Sequence, residues 1–275
     1  MKPAPFDYYR PGSLAEALEP LAELGPAAQV LAGGQSLAAM LNMRLARPEL
    51  LVDIGRLDEL SGIKLAAGQV EVHAAATQAQ LERWPALARH LPLVAQAMPH
   101  VGHPQTRARG TVCGSIAHAD PSSELPLSLL TLGGSVTLLS RRGERQLPAS
   151  EFFKGVLTTA REPDELLGAV RFPAARRGSG FAFREIAPRH GDFAIVAIAA
   201  VTTADSIRIG VGGVCDTPVC RDWPRLDGSA LDDALNALAW ELGGYNDLHA
   251  TARYRRELIR RAGRQAIGEA ETWLT

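Results

Sequence analysis

Two glycine-containing segments hold the residues whose types and spacing best suit chemistry. The first glycine loop reads Leu31-Ala32-Gly33-Gly34-Gln35-Ser36-Leu37, between an apolar run and a helical pattern. A strand that enters a helix through glycines exposes consecutive backbone N–H groups, which bind anions such as pyrophosphate. The side chains of Gln35 and Ser36 add further hydrogen-bond donors. A plain strand–helix turn is the alternative interpretation of this segment.

The second glycine loop also combines glycines with hydroxyl side chains. It reads Arg109-Gly110-Thr111-Val112-Cys113-Gly114-Ser115 and is followed by Ala117-His118-Ala119-Asp120-Pro121-Ser122-Ser123-Glu124-Leu125-Pro126. Taken alone, residues 102–126 predict an irregular surface loop. Neither glycine loop has the GxxxxGK[ST] spacing of a P-loop. The later run Gly210-Val211-Gly212-Gly213 lacks the following helix of a dinucleotide fingerprint and predicts a tight turn or a bulge.

Other patterns of catalytic or metal-binding residues are missing from the sequence. It holds no Ser/His/Asp arrangement, no HExxH and no CxxC, so we assign no general base and no metal site. Five histidines show no ligand spacing: His73, His90, His100, His103 and His249. The three cysteines, Cys113, Cys215 and Cys220, are too few for a disulfide framework or an ordinary four-cysteine iron–sulfur cluster.

Composition limits the class of protein. The 275 residues carry a net charge of -1 and are 46% hydrophobic, which indicates a globular chain without a nucleic-acid or anionic-membrane partner. No signal peptide or membrane span is visible, so we expect a cytoplasmic protein. An arginine cluster near the C-terminus predicts a solvated helix face or a contact surface for a partner; it comprises Arg253, Arg255, Arg256, Arg260, Arg261 and Arg264.

Hydrophobic periodicity divides the chain into three parts. Residues 1–55 predict a small α/β unit. Its first helix starts at Leu14, where Ser13 and Glu16 would form an N-terminal capping box. Strands at 29–32 and 50–54 and a helix over 36–46 follow. Residues 56–175 predict an α+β unit with a hairpin at 63–72, helices at 77–84 and 87–98, and strands at 135–139 and 165–172. After a linker at 174–180, we expect strands at 195–201 and 207–211 and helices at 229–242 and 249–270.

Taken together, the motifs resemble the FAD-binding medium subunit of the molybdenum hydroxylases, the group that contains xanthine dehydrogenase and aerobic carbon monoxide dehydrogenase. That family carries AGG[HQ]SL, then RGT[IV]GG[NDS], then DP…[DE]LP, and this chain has them at residues 32–37, 109–115 and 120–126. Further matching pieces lie at residues 102–105, 165–167, 189–194 and 210–214. The order of the motifs agrees over nearly the whole chain.

The resemblance implies an α+β protein with a PCMH-type FAD-binding fold. Two α/β subdomains, residues 1–55 and 56–175, would clamp FAD, and a C-terminal domain with a small antiparallel sheet and helices, residues 176–275, would close one side. The residues that it implies for cofactor binding are Ala32, Gly33, Gly34, Gln35, Ser36 and Leu37 in the first loop and Thr111, Val112, Cys113, Gly114 and Ser115 in the second.

The resemblance also implies cofactor contacts outside the two loops. Glu124 falls on the family's acidic contact to the cofactor, Leu167 and Arg184 on positions near the flavin or its linker, and Val101 and Phe193 on positions against the isoalloxazine ring. Asp120 and His118 are expected to line the site. As a hypothesis, Arg184 stabilises negative charge on the reduced flavin.

The function implied is electron transfer within a heterotrimer. The flavin subunit would take electrons from a small iron–sulfur subunit, which receives them from a large molybdenum-cofactor subunit, and would pass them to NAD+ or a quinone. A dimer of heterotrimers is implied as the assembly. The alternatives are a stand-alone flavin oxidoreductase and a structural subunit that has lost FAD. Cys113 prompts the last of these, because it replaces a family glycine, and a non-glycine residue costs about 1–2 kcal/mol if the backbone there needs a positive φ.

Overall fold

The computed structural model describes residues 2–274, and its first part is a three-stranded parallel sheet with two helices. The elements are β1 (Asp7–Tyr9), α1 (Leu14–Leu24), β2 (Ala28–Leu31), α2 (Leu37–Asn42) and β3 (Leu50–Asp53), with strand order β1-β3-β2. The predicted helix and strands are confirmed here. The sheet places the first glycine loop directly after β2, at the carboxyl end of a parallel strand.

Two details of this part differ from the prediction. Ser13 caps α1 by accepting from the Glu16 N–H at 3.2 Å, but the Glu16 carboxylate accepts from the Gly12 N–H at 2.7 Å, so no capping box forms. The second helix ends at Asn42 rather than near residue 46. Arg44 follows with a φ of 59°, a left-handed conformation that cannot continue a right-handed helix.

The second part is built on a five-stranded antiparallel sheet. Its elements are β4 (Ile63–Ala66), β5 (Gln69–His73), α3 (Gln78–Glu82), α4 (Leu87–His90), α5 (Pro92–Ala97), α6 (Pro104–Arg109), α7 (Val112–His118), α8 (Glu124–Thr131), β6 (Ser135–Ser140), β7 (Gly143–Pro148), α9 (Ala149–Phe152), β8 (Phe153–Gly155), β9 (Thr158–Thr159) and β10 (Leu166–Pro173). The strand order is β4-β5-β10-β6-β7, while β8 and β9 form a separate hairpin. The first two parts share one hydrophobic core, which runs from Ala17 to Phe172.

The helices of this part were the least accurate predictions. A single helix over 87–98 is wrong, because Pro92 has no N–H to donate and Leu91 before it leaves the helical region at φ -133° and ψ 59°. The irregular loop predicted over 102–126 is also wrong. That segment forms α6, α7 and the start of α8, and Thr111 caps α7 by accepting from the Gly114 N–H at 2.9 Å.

The third part is a four-stranded antiparallel sheet covered by two long helices. Its elements are β11 (Gly180–Ile186), β12 (Val196–Thr202), β13 (Ser206–Gly212), β14 (Val219–Pro224), α10 (Gly228–Leu242) and α11 (Ala252–Glu271), with strand order β11-β12-β13-β14. The run at 210–213 therefore ends a strand before Gly213, whose φ is 79°. The α+β fold class is confirmed, with small sheets of mostly antiparallel strands.

Strand alternation makes the third sheet face two ways. Ala182, Ile198 and Ala200 pack on α10 and α11, whereas Phe183 and Ala199 pack on α5 and α8 of the second part. The third part therefore closes onto the second through one face of its sheet. Within the described residues, no helix is both long and apolar enough to cross a membrane.

Candidate functional site

A cleft of about 1140 Å³ is lined by loops from all three parts of the chain. Among its lining residues are Gly33 from the first part, Ser115 from the second and Phe193 from the third. The carboxyl end of β2, the start of α7 and the segment between β11 and β12 supply these loops. The cleft is therefore an assembled feature that no one part forms by itself.

The two glycine loops meet back to back in this cleft. A Cβ placed on Gly33 would lie 2.2 Å from the Arg109 carbonyl oxygen and 2.7 Å from the Gly110 Cα. Gly34 has a φ of 72°, a conformation that side chains disfavour. Only glycine at position 33 allows the two backbones to approach this closely, so the glycines serve the contact between the loops as well as the turn.

The first glycine loop offers unused hydrogen-bond donors. Within the part of the chain that the structure describes, the N–H groups of Gly33, Gly34, Gln35 and Ser36 donate to no backbone or side-chain acceptor. They border the cleft, and several adjacent N–H groups form a binding site for an anionic oxygen. This arrangement suits a phosphate or pyrophosphate group.

The second glycine loop has already used most of its N–H groups. Val112 donates to the Ala76 carbonyl at 3.1 Å, Gly114 to the Thr111 hydroxyl at 2.9 Å and Ser115 to the Thr111 carbonyl at 3.2 Å. This loop therefore presents the Ser115 hydroxyl and the Gly114 backbone, which has no side chain, to the cleft. The two loops, which look alike in sequence, offer different chemistry.

Cys113 does not impose the backbone strain that its sequence position suggested. It lies inside α7, and its φ is not among the positive values of the described residues. The thiol is 3% exposed, donates to the Val72 carbonyl at 3.3 Å, and has a pKa that burial raises. The cost of about 1–2 kcal/mol that a positive φ would bring is therefore absent.

Most of the predicted binding residues line the cleft, His118 included. Those of the two loops that do so are Ala32, Gly33, Gly34, Gln35, Ser36, Leu37, Thr111, Cys113, Gly114 and Ser115. Those outside the loops are Val101, Asp120, Glu124, Leu167 and Phe193. Val112 does not line the cleft, because its side chain is fully buried in the core beneath the second loop.

The structure places Arg184 outside the lining of the cleft. Its guanidinium pairs with the Glu269 carboxylate of α11. Strand alternation in β11 turns Arg184 to the side of α11, as it does Ala182, whereas Phe183 faces α5 and α8. The charge on Arg184 is thus balanced on the face of the sheet that α11 covers, and its role toward a reduced flavin stays a prediction.

Sequence reasoning missed several residues of the cleft wall. Arg161, after the β8–β9 hairpin, lines the cleft and donates to the Glu162 and Glu165 carbonyls at 3.1 and 2.7 Å. Gln78 lines the floor beside Gly110 with a buried carbonyl oxygen that has no hydrogen-bond partner. No sequence pattern marked either residue as part of a site: Gln78 is the first residue of the short helix α3, and Arg161 lies on the connection between β9 and β10.

Arg255 is the most consequential of the missed residues. We predicted it in an arginine cluster that forms a solvated helix face or a contact surface for a partner, but its side chain is only 2% exposed and lines the cleft. It donates to the carbonyls of Ile195 at 2.5 Å and Gly213 at 2.8 Å and to the Asp247 carboxylate at 2.6 Å. A signal existed: Arg255 is four residues before the buried Ile259, on the apolar face of α11.

The chain has clear relatives. The family model described as FAD binding domain in molybdopterin dehydrogenase matches residues 4–175. The 6-hydroxypseudooxynicotine dehydrogenase complex subunit alpha of Paenarthrobacter nicotinovorans is 36% identical, over 98% of this chain and 96% of its own length. The carbon monoxide dehydrogenase medium chain of Afipia carboxidovorans is 34% identical over 98% of both.

A solved structure agrees with these relatives. Carbon monoxide dehydrogenase from Hydrogenophaga pseudoflava, in a form that lacks the Mo-pyranopterin moiety of the molybdenum cofactor, superposes with a TM-score of 0.94 at 31% identity and 100% coverage of both chains. The predicted family, the class of oxidoreductase subunit and FAD as the cofactor are confirmed. The chain belongs to the family of FAD-binding domains in molybdopterin dehydrogenases, as a medium subunit of a molybdenum hydroxylase.

Proposed function

We propose that this chain is the electron-transfer subunit of a heterotrimeric molybdenum hydroxylase. It takes electrons from a small iron–sulfur subunit and passes them to an external acceptor, NAD+ or a quinone. The observation that carries the proposal is the back-to-back contact of Gly33 with Arg109 and Gly110, which opens a row of free N–H groups onto the cleft. Relatives that are named medium chains of dehydrogenases support the place of this chain in a complex.

The residues of the cleft fit FAD. The free N–H groups of residues 33–36 and the Ser115 hydroxyl would hold the pyrophosphate. Val101 and Leu167 are buried apolar residues of the wall, and Phe193 is 69% exposed at the rim, so these three would contact the isoalloxazine ring. Glu124 would accept hydrogen bonds from the cofactor. Val112 supports the second loop from below.

FAD, when bound, supplies the redox chemistry, and the protein supplies position and electrostatics. The two glycine loops anchor the anionic part of the cofactor, and the buried walls exclude water from the rest of it. We assign no general base, because the substrate of the complex is transformed on the partner with the molybdenum cofactor. The iron–sulfur clusters are placed on the small subunit, and the assembly is proposed as a cytoplasmic dimer of heterotrimers.

The three-part division is part of the proposal. Residues 1–55 and 56–175 would form the two FAD-binding subdomains, and residues 176–275 the C-terminal domain. Separate parallel, antiparallel and C-terminal sheets support it. The shared hydrophobic core of the first two parts indicates that they unfold together.

The first experiment is the visible spectrum of the purified chain before and after addition of FAD, with chromatography of the released nucleotide. We expect a flavin spectrum and release of FAD. Reconstitution with the two partner chains then tests reduction of NAD+ and of a quinone analogue. A chain that takes up no FAD even in the presence of its partners would refute the proposal.

Co-purification with two other chains, and activity with and without them, separate the proposal from a stand-alone flavin oxidoreductase. A stand-alone flavin oxidoreductase would turn over a substrate without any partner chain, whereas an electron-transfer subunit would not. The alternative of a structural subunit without FAD rested on Cys113. That argument falls away, because Cys113 lies in a regular helix with its side chain in the core.

A further inference from the structure

Three arginines line the cleft in the part of the chain that the structure describes, and two of them are already paired with a carboxylate. Arg255 pairs with Asp247 at 2.6 Å, and Arg189 pairs with Asp192 at 2.9 Å. Arg161 forms no ion pair with any carboxylate of the described residues, and its hydrogen bonds go to backbone carbonyls. It is therefore the cation of the cleft wall whose charge is still available to a ligand.

One nitrogen of the Arg161 guanidinium anchors the whole group. Its Nη1 donates to the carbonyl oxygens of Glu162 at 3.1 Å and Glu165 at 2.7 Å. Its Nε and Nη2 donate to no acceptor among the described residues, and neither is a buried atom. Because the guanidinium is planar and rigid, fixing Nη1 also fixes the other donors. The anchored side chain therefore offers free N–H groups at the place where it lines the cleft.

The carboxylates near Arg161 are taken by other cations. Glu165 accepts from Arg145 Nε at 2.5 Å, and Asp164 accepts from Arg142 Nη2 at 3.0 Å. Burial lowers the pKa of Arg161, and the charges of Glu165 and Asp164 oppose that change. A guanidinium stays protonated in proteins, so the wall keeps a partly buried positive charge. Such a charge is costly without a partner, and an anionic group bound in the cleft would offset the cost.

Arg161 lies beside an apolar part of the cleft wall. The stronger of its two carbonyl contacts is to Glu165, and Leu166 and Leu167, which follow directly in the chain, both line the cleft. The free N–H groups that suit a pyrophosphate belong instead to residues 33–36, in the first part of the chain. The ligand group nearest to Arg161 is therefore one that packs on apolar side chains, as the isoalloxazine ring does, and not a phosphate.

We propose that Arg161 binds the pyrimidine end of the isoalloxazine ring and stabilises the negative charge that the ring carries when it is reduced. This role rests on the binding of FAD in the cleft. Reduction by dithionite adds two electrons from the reductant and one proton from water, which forms the N5–H bond. N1 stays unprotonated, and one negative charge is spread over N1 and the C2 carbonyl oxygen. The free N–H groups of Arg161 donate to this end of the ring and favour its charged form.

The charge of the reduced ring is measured by the 15N chemical shift of N1 across a pH series, with 15N-labelled FAD in the reconstituted chain and dithionite as reductant. In wild type, N1 should have a proton affinity about tenfold or more below that of free reduced FAD. Arg161→Met should return the proton affinity toward that of free reduced FAD, and Arg161→Lys, which keeps the charge, should retain part of the effect. A wild type that matches free reduced FAD would overturn the proposal, as would an Arg161→Met variant that matches wild type.

Arg142→Met is the matched control. Arg142 binds the same connection between β9 and β10, through Asp164, but its side chain is 65% exposed and is not part of the cleft lining. This variant should keep the wild-type pH profile of N1. An equal change in Arg142→Met would attribute the effect to net charge and refute a contact by Arg161. Arg184→Met should also keep the profile, and a change in that variant without one in Arg161→Met would transfer the role to Arg184.

Uptake of oxidised FAD separates the two possible failures. The oxidised ring carries no net charge, so a folded Arg161→Met variant should bind oxidised FAD nearly as tightly as wild type does. Loss of that binding would assign Arg161 to the pyrophosphate and overturn the proposal. Urea unfolding of the apo protein shows which variants fold, and if Arg161→Met does not, the wild-type profile and that of Arg161→Lys still decide. A failure of the proposed function would show as a wild type that takes up no FAD at all.

Discussion

Replacement of Arg255 by methionine should loosen one wall of the cleft without altering any residue of the glycine loops. The guanidinium reaches from α11 to the carbonyls of Ile195 and Gly213, and it pairs with Asp247, which Tyr245 precedes in the same loop. It also lies 4.2 Å from the centre of the Tyr245 ring. Three separate segments of chain are thus held together by one buried side chain.

The cost of the change follows from the groups left behind. Two buried carbonyls lose a charged donor, at about 1–3 kcal/mol each. Asp247 loses its cation but keeps the N–H groups of His249 and Ala250 at 2.9 and 2.8 Å. Because Asp247 is exposed, its lost ion pair adds little, and we expect a total loss of about 4 kcal/mol, mostly from the two carbonyls. For a chain of this size, that lowers the Tm by about 10 °C.

Urea and thermal unfolding of the apo protein measure this loss, with Arg253→Met as the control. Arg253 is an exposed residue of the same helix, and arginine and methionine have similar helix propensity. We expect Arg253→Met to stay within about 0.5 kcal/mol of wild type. Because Ile195, Tyr245 and Asp247 line the cleft, Arg255→Met should also raise the Kd for FAD. Equal stability of the two variants would refute the role of Arg255.

Three further predictions concern the loops and the core. Gly33→Ala should lower FAD affinity at least tenfold (about 1.4 kcal/mol), because its Cβ would lie 2.2 Å from the Arg109 carbonyl oxygen. Gly268→Ala is the control, because its Cβ would meet nothing within 4 Å, and it should leave the affinity unchanged. Flavin fluorescence measures both affinities. Cys113→Gly should cost about 1–3 kcal/mol in urea unfolding, since it puts glycine into a helix and opens a cavity, and should leave FAD affinity unchanged. Glu165→Gln should cost about 2–3 kcal/mol, less than a fully buried pair, because its partner Arg145 is 41% exposed.

The Glu165 variant also has a pH signature. Burial opposes ionisation of Glu165, but hydrogen bonds from Arg145 and from the Glu162 N–H outweigh it and hold the pKa of Glu165 below its ordinary value of 4.5. The stability from this group is therefore fully present above about pH 4.5 and is lost as the pH falls below it. Unfolding at a series of pH values should show this acid loss in wild type and a weaker one in Glu165→Gln. Parallel profiles would contradict the assignment.

Short-range patterns explain which elements were predictable. The helix α10 and the hairpin of β4 and β5 follow from local periodicity and turn residues, and both form as expected. Pro92 itself indicated a helix break, because proline has no N–H to donate. The apolar pattern that continues across Pro92 nevertheless favoured one continuous helix. Helices α6 and α7 are only six and seven residues long, too short for a clear hydrophobic periodicity. The glycine and proline residues around them therefore favoured the prediction of a loop.

In the cleft, local sequence patterns predicted the glycine loops but not which charged side chains are buried. The glycine loops were recognisable because a backbone that must approach another backbone requires glycine, and that requirement leaves its mark on the sequence. The neighbours Arg184 and Glu185 are both charged residues of β11. Only the pairing of that strand decides that Arg184 faces Glu269 while the side chain of Glu185 is buried, with His100 Nδ1 3.8 Å from its Oε1.

The sequence by itself thus determined the family, the cofactor and the two loops that meet at the site, because motifs with fixed backbone requirements are local and keep their order along the chain. The tertiary structure decided which loop keeps its N–H groups free and which arginine is buried and joins three segments of the chain. Those properties depend on burial and on contacts between residues far apart in the chain, as between Arg255 and Ile195, and no local pattern encodes them.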